Sequence, residues 1–172
     1  MNNSVTEQKT IHRWIWVWDF EKEERWLNEM AMEGWVLEQV DFCTYHFTRC
    51  EPGEYIVRME MAPDNKDYQS FLEDIGAEHI GRMVKWIYFR RKTDLGPFEL
   101  LVGIDAKIQH LDRIDMMLKL LCIANLLIGI PNILNGMNFS IVNLLCATLL
   151  SYALGRIHSK KEYLKNERLL HE

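Results

Sequence analysis

The longest stretch without a charged side chain lies between Lys119 and Arg156 and constrains the fold more than any other feature of this sequence. Its 36 residues contain no Asp, Glu, Lys or Arg, although 26% of the chain is charged. A helix that crosses a bilayer needs about 20 apolar residues, so the stretch is too long for one span and suits two short ones. Turn-forming Pro, Gly and Asn residues concentrate at 131–138. The sequence therefore predicts a transmembrane helical hairpin with spans over 116–134 and 139–155.

A helical hairpin buried inside a soluble domain is the alternative interpretation of the same stretch. Helices of soluble cores normally keep a polar stripe that faces water, whereas residues 120–130 and 141–155 are apolar on every face. Lys and Arg flank both ends of the pair of spans, with five of them from Arg156 to Arg168, and the turn has none. By the positive-inside rule, we expect a two-span, multi-pass protein of the cell membrane with both termini in the cytoplasm.

The N-terminal part of the sequence is acidic and differs in this from the predicted membrane part. Residues 1–113 carry 14 Lys or Arg and 21 Asp or Glu, and this acidic balance argues against binding to nucleic acid. The first residues contain no apolar signal-peptide core, so we expect reduced cysteines. We predict four regions: a cytosolic α+β domain over 1–95, a linker and juxtamembrane helix over 96–115, the hairpin over 116–155 and a basic cytosolic tail over 156–172.

Strand-like and helix-like runs alternate within the cytosolic domain. Two helices are predicted by their apolar spacing and by the glycine that follows each, Gly34 and Gly76. The segments 25–40 and 70–84 share one order of residue types, which indicates an internal repeat. We therefore predict a ferredoxin-like fold, an antiparallel sheet with two helices on one face. Runs rich in β-branched and aromatic residues predict its strands, over 12–20, 35–40, 44–48, 55–61 and 86–91.

Aromatic residues recur at every second position near both ends of the predicted sheet. Alternation places Trp14, Trp16 and Trp18 on one face of the first strand, and Trp86 and Tyr88 together on the last. First and last strands are neighbours in a ferredoxin-like sheet, so we expect these five residues to form one aromatic binding face. An exposed patch of this size requires a cover. A ligand, a second copy, a protein partner, bilayer headgroups or another segment of the chain would each provide it.

No constellation of residues in the sequence predicts a reaction. Cys43, His46 and Cys50 have a spacing found among zinc ligands, but a structural site needs four ligands, and alternation places Cys43 and His46 on opposite strand faces. Gly-rich phosphate loops and nucleophile motifs are absent from the sequence. We therefore expect a protein that is not an enzyme and binds neither metal nor cofactor. A solvated helix face is the simplest interpretation of five glutamates, Glu21, Glu23, Glu24, Glu29 and Glu33.

Several segments together resemble a known protein family. They are DFEKEERWLNEMAMEGWVLEQV, YHF, EPGEYIVRMEM, YQSFLEDIGAEHI and WIYFRRKTD. This pattern, over about residues 10–113, resembles the bacterial domain-of-unknown-function family 2812, whose members carry a cytosolic N-terminal domain followed by membrane spans. The resemblance implies no known enzyme activity and no assigned site residues. Because members are often encoded beside PadR-type transcriptional regulators, it also implies, by association, a regulatory role.

These observations lead to three hypotheses for function, of which the third, an enzyme, is the least favoured because the sequence contains no catalytic constellation. In the first, the chain is a membrane-anchored regulatory or sensory adaptor whose cytosolic domain binds a protein partner, with a PadR-type regulator as one candidate. In the second, the membrane-tethered domain binds a small molecule or a lipid. We expect contact with the lipid bilayer, a protein partner or a homo-oligomer, and no nucleic acid.

Overall fold

The computed structural model describes residues 7–62, 65–135 and 140–171. The chain divides into two compact units, Met1–Leu100 and Leu101–Glu172, and each is described by itself. The N-terminal unit extends five residues beyond the predicted boundary at 95. The extension is part of the fold because Phe98 is buried in a core cluster with Ile87 and Phe89.

The N-terminal unit is built from helices and strands joined by short loops. Helix α1 covers Phe20–Met32 and helix α2 covers Lys66–Asp74. Single turns of 3-10 helix lie at Val17–Asp19 and Thr93–Leu95. The strands are β1 (Gln8–His12), β2 (Trp35–Asp41), β3 (Thr44–Arg49), β4 (Tyr55–Met61), β5 (Ala77–Met83) and β6 (Trp86–Lys92).

The strands pair as two antiparallel sheets of three strands, in the orders β1-β3-β2 and β4-β6-β5. The predicted α+β class is confirmed. The ferredoxin-like arrangement, in which the first and last strands are neighbours, is not confirmed, since β1 pairs with β3 while β6 pairs with β4 and β5. The cause is local. Each helix is followed by a tight hairpin, and the second strand of that hairpin returns between the two strands that the helix connects.

The two sheets belong to two copies of one β-α-β-β unit, β1-α1-β2-β3 (repeat A) and β4-α2-β5-β6 (repeat B). Gly34 and Gly76, 42 positions apart, follow the two helices, and both have a φ of 84°. The strand ladder is irregular at the same place in both hairpins, directly after Leu37 and directly after His79. The internal repeat indicated by the sequence is therefore present as a repeat of whole β-α-β-β units.

Strand β1 is shorter than predicted. It ends at His12, opposite Thr44, and the predicted strand over 12–20 is wrong beyond that residue. Strand β3 begins only at Thr44, after the turn of its hairpin, so the chain beyond Arg13 has no neighbouring strand with which to pair. The Arg13 N–H donates a last backbone bond to the Cys43 carbonyl at 3.0 Å, and the chain then leaves the sheet.

Fully buried side chains from α1 and from both sheets form the core of the N-terminal unit. Leu27 of α1, Leu37 of β2 and Val57 of β4 have no exposed surface. Burying an aliphatic side chain of this size contributes about 1.5–3 kcal/mol. The apolar face of α1 is therefore fixed against strands of both repeats.

The C-terminal unit consists of two long helices, α3 (Ile104–Leu134) and α4 (Ser140–His171). Both are long and apolar enough to cross a membrane. Helix α3 continues through Pro131, so the connection begins later than the predicted turn at 131–138, and residues 136–139 lie outside the described residues. At 1.5 Å per residue, α3 is ~46 Å long, which exceeds the ~30 Å hydrocarbon core of a bilayer.

Ion pairs join the charged halves of α3 and α4. The Lys161 ammonium group lies 2.6 Å from the Asp112 carboxylate and 3.6 Å from that of Asp115, and the Arg168 guanidinium lies 2.9 Å from Asp105. The segment predicted as a basic tail, 156–172, is helical as far as His171 and forms the C-terminal part of α4. Carboxylates of α3 neutralise part of its positive charge.

Candidate functional site

The structure separates the five aromatic residues that the sequence predicts as one face. Trp14 is 58% exposed and Trp16 is 40% exposed, whereas Trp18, Trp86 and Tyr88 are buried. The predicted common face is wrong because residues 14–18 lie beyond the end of β1, and β6 is the central strand of the other sheet. The role of these residues in binding stays a prediction, and only the first two offer substantial surface to a partner.

Trp14 and Trp16 form an exposed group with Phe42, and we call these three residues the aromatic cluster. The Trp14 ring contacts the Trp16 ring edge to face, with 5.3 Å between centroids, and the Phe42 ring at 5.9 Å. Phe42 is 71% exposed. The buried Trp18 stacks on Trp16 with 4.8 Å between centroids, so one edge of the cluster is anchored in the folded unit.

Two local features position the aromatic cluster. The hairpin between β2 and β3 turns through only Phe42 and Cys43, so the Phe42 side chain stands at its tip. The bond from the Arg13 N–H to the Cys43 carbonyl then holds the segment that carries Trp14 beside this turn. Sequence reasoning missed Phe42. A large apolar residue in the short segment between the predicted strands 35–40 and 44–48 is the signal that would have found it.

A buried carboxylate links the two repeats. Glu23 of α1 is 6% exposed, and its Oε1 accepts hydrogen bonds from the hydroxyl groups of Tyr45 at 2.8 Å and Tyr88 at 2.7 Å. Burial raises the pKa of Glu23 above its ordinary value, and the two hydrogen bonds oppose part of the rise. Burial and the neighbouring carboxylate raise the pKa of both tyrosines. No Lys, Arg or His of the described ranges forms an ion pair with Glu23.

Two of the five glutamates expected on a solvated helix face have other roles, and the expectation is wrong for them. Glu23 is buried, as described. The Oε2 atom of Glu24 accepts a bond from the Met59 backbone N–H at 3.1 Å, and its Oε1 lies 3.5 Å from the Arg58 guanidinium. Burial raises the pKa of Glu24, and the positive charge of Arg58 opposes part of the rise. Both glutamates thus connect α1 to strands.

A groove of about 460 Å³ lies between α1 and β4. The Asn28 side chain borders it and bonds the Val57 backbone twice, donating to the carbonyl at 2.9 Å and accepting from the N–H at 2.9 Å. Acidic, basic and apolar groups meet in the lining, a combination that suits a small polar molecule with charges of both signs. Among the lining residues are Glu21, Glu24, Arg25, Arg58, Tyr55 and Ile56.

The cysteines and histidine considered as zinc ligands do not converge. His46 lies within β3, where its Nε2 is 3.2 Å from the Asp41 carboxylate and its Nδ1 is 3.0 Å from the Thr10 hydroxyl. Cys43 and Cys50 flank opposite ends of the same strand. Within residues 7–62, 65–135 and 140–171, no group of three or more His, Cys, Asp or Glu side chains is arranged to hold a metal ion.

One family model matches more than half of the chain. It is described as "Protein of unknown function (DUF2812)" and matches residues 19–124. The chain belongs to this family. The match begins just before α1 and ends inside α3, so the DUF2812 region includes parts of both compact units.

The DUF2812 match confirms the family resemblance seen in the sequence. The association of DUF2812 proteins with PadR-type regulators stays a prediction. No curated protein and no solved structure matches the chain.

Proposed function

We propose that this DUF2812 protein is a membrane-anchored regulatory adaptor that binds a cytosolic protein through the aromatic cluster. The observation that carries the proposal is the contiguous exposure of Trp14, Trp16 and Phe42. Contiguous exposed apolar patches often mark interaction sites, and aromatic side chains are enriched at the centres of protein interfaces. The proposed role is binding, not catalysis.

The internal contacts of the cluster favour tight binding. Trp14 packs edge to face against both other rings, and Trp16 is stacked on the buried Trp18. Side chains that are already ordered lose little conformational freedom when a partner binds. Removal of an aromatic anchor at the centre of an interface typically costs about 2 kcal/mol or more of binding free energy.

The membrane part of the proposal places α3 and α4 in the cell membrane as two spans, with both termini in the cytoplasm. An 18-residue apolar window in each helix is only 17% buried, and Leu127 and Leu145 are largely exposed. Apolar surface of this extent is unfavourable in water, and lipid removes the penalty. Lys and Arg at both flanks support the orientation.

A PadR-type transcriptional regulator is the partner to test first, because the family resemblance implies an association with such regulators. In this proposal the anchored domain holds the regulator at the membrane. The amount of regulator free in the cytoplasm then depends on how much of the aromatic cluster is occupied.

Capture of the cross-linked, full-length protein from its native membranes tests the proposal. The variant Trp14→Ala/Trp16→Ala/Phe42→Ala removes the aromatic cluster. The matched control, Met32→Ala/Val84→Ala, removes two apolar side chains of the same unit that are 67% and 74% exposed. We expect a stoichiometric cytosolic protein with the wild type and the control, and its loss with the triple variant. Identical partners for all three proteins would contradict the proposal.

A second function is favoured by one observation, the groove between α1 and β4. In this alternative the tethered domain binds a small molecule or lipid, with Arg25 and the Glu24-paired Arg58 beside its anionic group and Tyr55 beside its apolar part. The double variant Arg25→Ala/Arg58→Ala then abolishes ligand-induced thermal shifts of the full-length protein. The aromatic-cluster variant leaves those shifts unchanged, which distinguishes the two functions.

A further inference from the structure

Strands β1 and β4 are equivalent edge strands of the two repeats, and β4 has a covered outer edge. The backbone groups of Val57 and Met59 point away from the neighbouring strand. The Asn28 side chain bonds both backbone groups of Val57, and Glu24 accepts the N–H of Met59. Side chains of α1 therefore take the place of a further strand along β4.

Backbone hydrogen bonds fix which groups of β1 point outward. The Arg49 N–H donates to the Glu7 carbonyl, and the Arg13 N–H donates to the Cys43 carbonyl, both at 3.0 Å. Odd-numbered residues of this segment thus face β3. Alternate residues of an antiparallel strand face the other way, so the backbone groups at residues 8, 10 and 12 lie on the outer edge.

The outer edge of β1 is not covered in the way that β4 is. Gln8 and Thr10 correspond to Val57 and Met59, because their partners in the central strands are 42 positions apart. Across the described ranges of the chain, no strand pairs with this edge and no side chain bonds its backbone groups at Gln8, Thr10 or His12. The pseudo-symmetry of the two repeats is broken at this place.

Strand β1 also lacks two of the features with which proteins often protect an edge, a bulge and a proline. Its register with β3 runs without a shift from Gln8 to His12, and it contains no proline. Edge strands are normally shielded by bulges, prolines or charged side chains. Lys9 is the one charged residue of the strand, and its ammonium group is engaged over the Trp35 ring, 5.3 Å from the centroid.

We propose that β1 pairs antiparallel with β1 of a second copy of this chain, around a two-fold axis that passes beside Thr10. This places Thr10 opposite Thr10 of the other copy, and Gln8 opposite His12. In this register, each outward-pointing N–H or C=O group of one β1 strand faces an outward-pointing backbone group of the other β1 strand. Because each residue has one donor and one acceptor, three residues per strand form up to about six hydrogen bonds.

The sequence of β1 is compatible with pairing to itself. Lys9 stands opposite Ile11 of the second copy, so no like charges face each other across the two strands. Like charges directly opposite would destabilise a pair of strands. An arbitrary peptide need not fulfil this condition, whereas a second copy meets it at every position of the strand.

Two copies held in one membrane by α3 and α4 meet more readily than copies free in solution. Confinement raises their effective concentration, and a two-fold axis normal to the membrane is compatible with closed symmetric dimers. The proposed pairing uses the outward backbone groups of residues 8, 10 and 12, and no residue of the aromatic cluster contributes a hydrogen bond to it.

Disulfide cross-linking of the full-length protein in native membranes tests the pairing and its register. The background replaces the four native cysteines. Thr10→Cys is expected to form an interchain disulfide, since residues directly opposite in hydrogen-bonded antiparallel pairs have Cα atoms about 5.5 Å apart. Gln8→Cys is expected to cross-link to a co-expressed His12→Cys chain. Lys9→Cys is the matched control that stays uncross-linked, because its counterpart lies two residues along the strand.

A second variant distinguishes pairing of the two β1 strands from mere proximity of the two copies. Thr10→Pro removes an outward N–H and leaves the bonds between β1 and β3 intact. Tryptophan fluorescence checks that the unit stays folded. We expect loss of the dimer in nanodiscs, measured by mass photometry, while the wild type stays dimeric.

Three results would overturn the inference. The first is a wild-type monomer at all protein densities. The second is a dimer that survives Thr10→Pro without a Thr10→Cys cross-link, which would assign association to the membrane helices. The third is a cross-link from Thr10→Cys to a different protein, which would make the edge a site for a partner's strand.

Discussion

Tyr45 and Tyr88 donate hydrogen bonds to the same oxygen atom, although each tyrosine comes from a different repeat. The shared acceptor is Oε1 of Glu23, at 2.8 and 2.7 Å. A carboxylate that is removed from water needs such donors, because an unsatisfied buried charge is strongly unfavourable. The two hydroxyl groups therefore tie the repeats together through one helix side chain.

Replacement of Glu23 by glutamine is expected to change the pH dependence of stability. Burial raises the pKa of Glu23 in the folded state above its ordinary value of 4.5. A group with a raised folded pKa contributes stability below its unfolded pKa, and that contribution is lost as pH rises through the folded pKa. The free energy of unfolding of Glu23→Gln relative to wild type should therefore increase from about pH 4 to about pH 7.

Urea unfolding of the full-length protein in detergent micelles measures this difference. All six tryptophans lie in the N-terminal unit, so their fluorescence follows that unit alone. The exposed Glu29→Gln on the same helix controls for the loss of one negative charge. If the free energy of unfolding of Glu23→Gln relative to wild type fell with rising pH, Glu23 would not be the titrating buried group.

Removal of the Tyr88 hydroxyl group should destabilise the N-terminal unit. Hydrogen bonds to charged groups contribute about 1.5–3 kcal/mol, and Tyr88→Phe deletes one of the two that Glu23 accepts. We expect a loss of this size at neutral pH by urea unfolding, and a much smaller loss in the Glu23→Gln background. Equal losses of unfolding free energy in the wild-type and Glu23→Gln backgrounds would contradict a direct interaction between Tyr88 and Glu23.

Truncation of Asn28 should expose the edge of β4. Asn28→Ala removes two bonds to the Val57 backbone, and each unsatisfied buried group costs about 1–3 kcal/mol. Asn28→Asp keeps the acceptor and loses the donor, so it should cost less at low pH than at neutral pH. Hydrogen exchange at the Val57 amide provides the direct measurement. An unchanged exchange rate in Asn28→Ala would mean that α1 does not protect this edge.

Alanine substitutions at two glycines with positive φ distinguish the cost of backbone strain from the cost of steric contact. An added Cβ at Gly34 would lie 3.0 Å from the Cys50 carbonyl oxygen, whereas at Gly96 it would meet nothing within 4 Å, and both residues have positive φ. Gly96 has a φ of 91° and a ψ of −169°, a combination that residues with a Cβ rarely adopt. Gly96→Ala should therefore cost only this backbone strain, about 1–3 kcal/mol. Gly34→Ala should cost more in the same urea titration. Equal costs would show that the backbone near Cys50 yields freely.

Local sequence signals predict the elements whose limits are set locally. Apolar spacing and a following glycine end α1 before Gly34 and α2 before Gly76, where the structure has positive φ at both. The uncharged stretch likewise predicts two long apolar helices, as observed. These features depend on neighbouring residues, which a single sequence contains.

Features set by distant residues are not predictable in the same way. Alternation favours a strand through Trp18, but the strand stops where β3 supplies no further partner. Glu23 and Glu29 lie on the same helix and look alike in the sequence. Glu23 is a buried acceptor because Tyr45 of β3 and Tyr88 of β6 donate hydrogen bonds to it. The aromatic cluster similarly depends on the hairpin that brings Phe42 to Trp14.

The most direct test of the proposed adaptor is photo-cross-linking from the tip of the β2–β3 hairpin. A benzoyl-substituted phenylalanine replaces Phe42 in the full-length protein in its native membrane, and the same group at Val84 is the control for general exposure. We predict an adduct with one cytosolic protein from position 42 and none with that protein from position 84. Adducts with lipid alone, or the same adducts from both positions, would contradict the account.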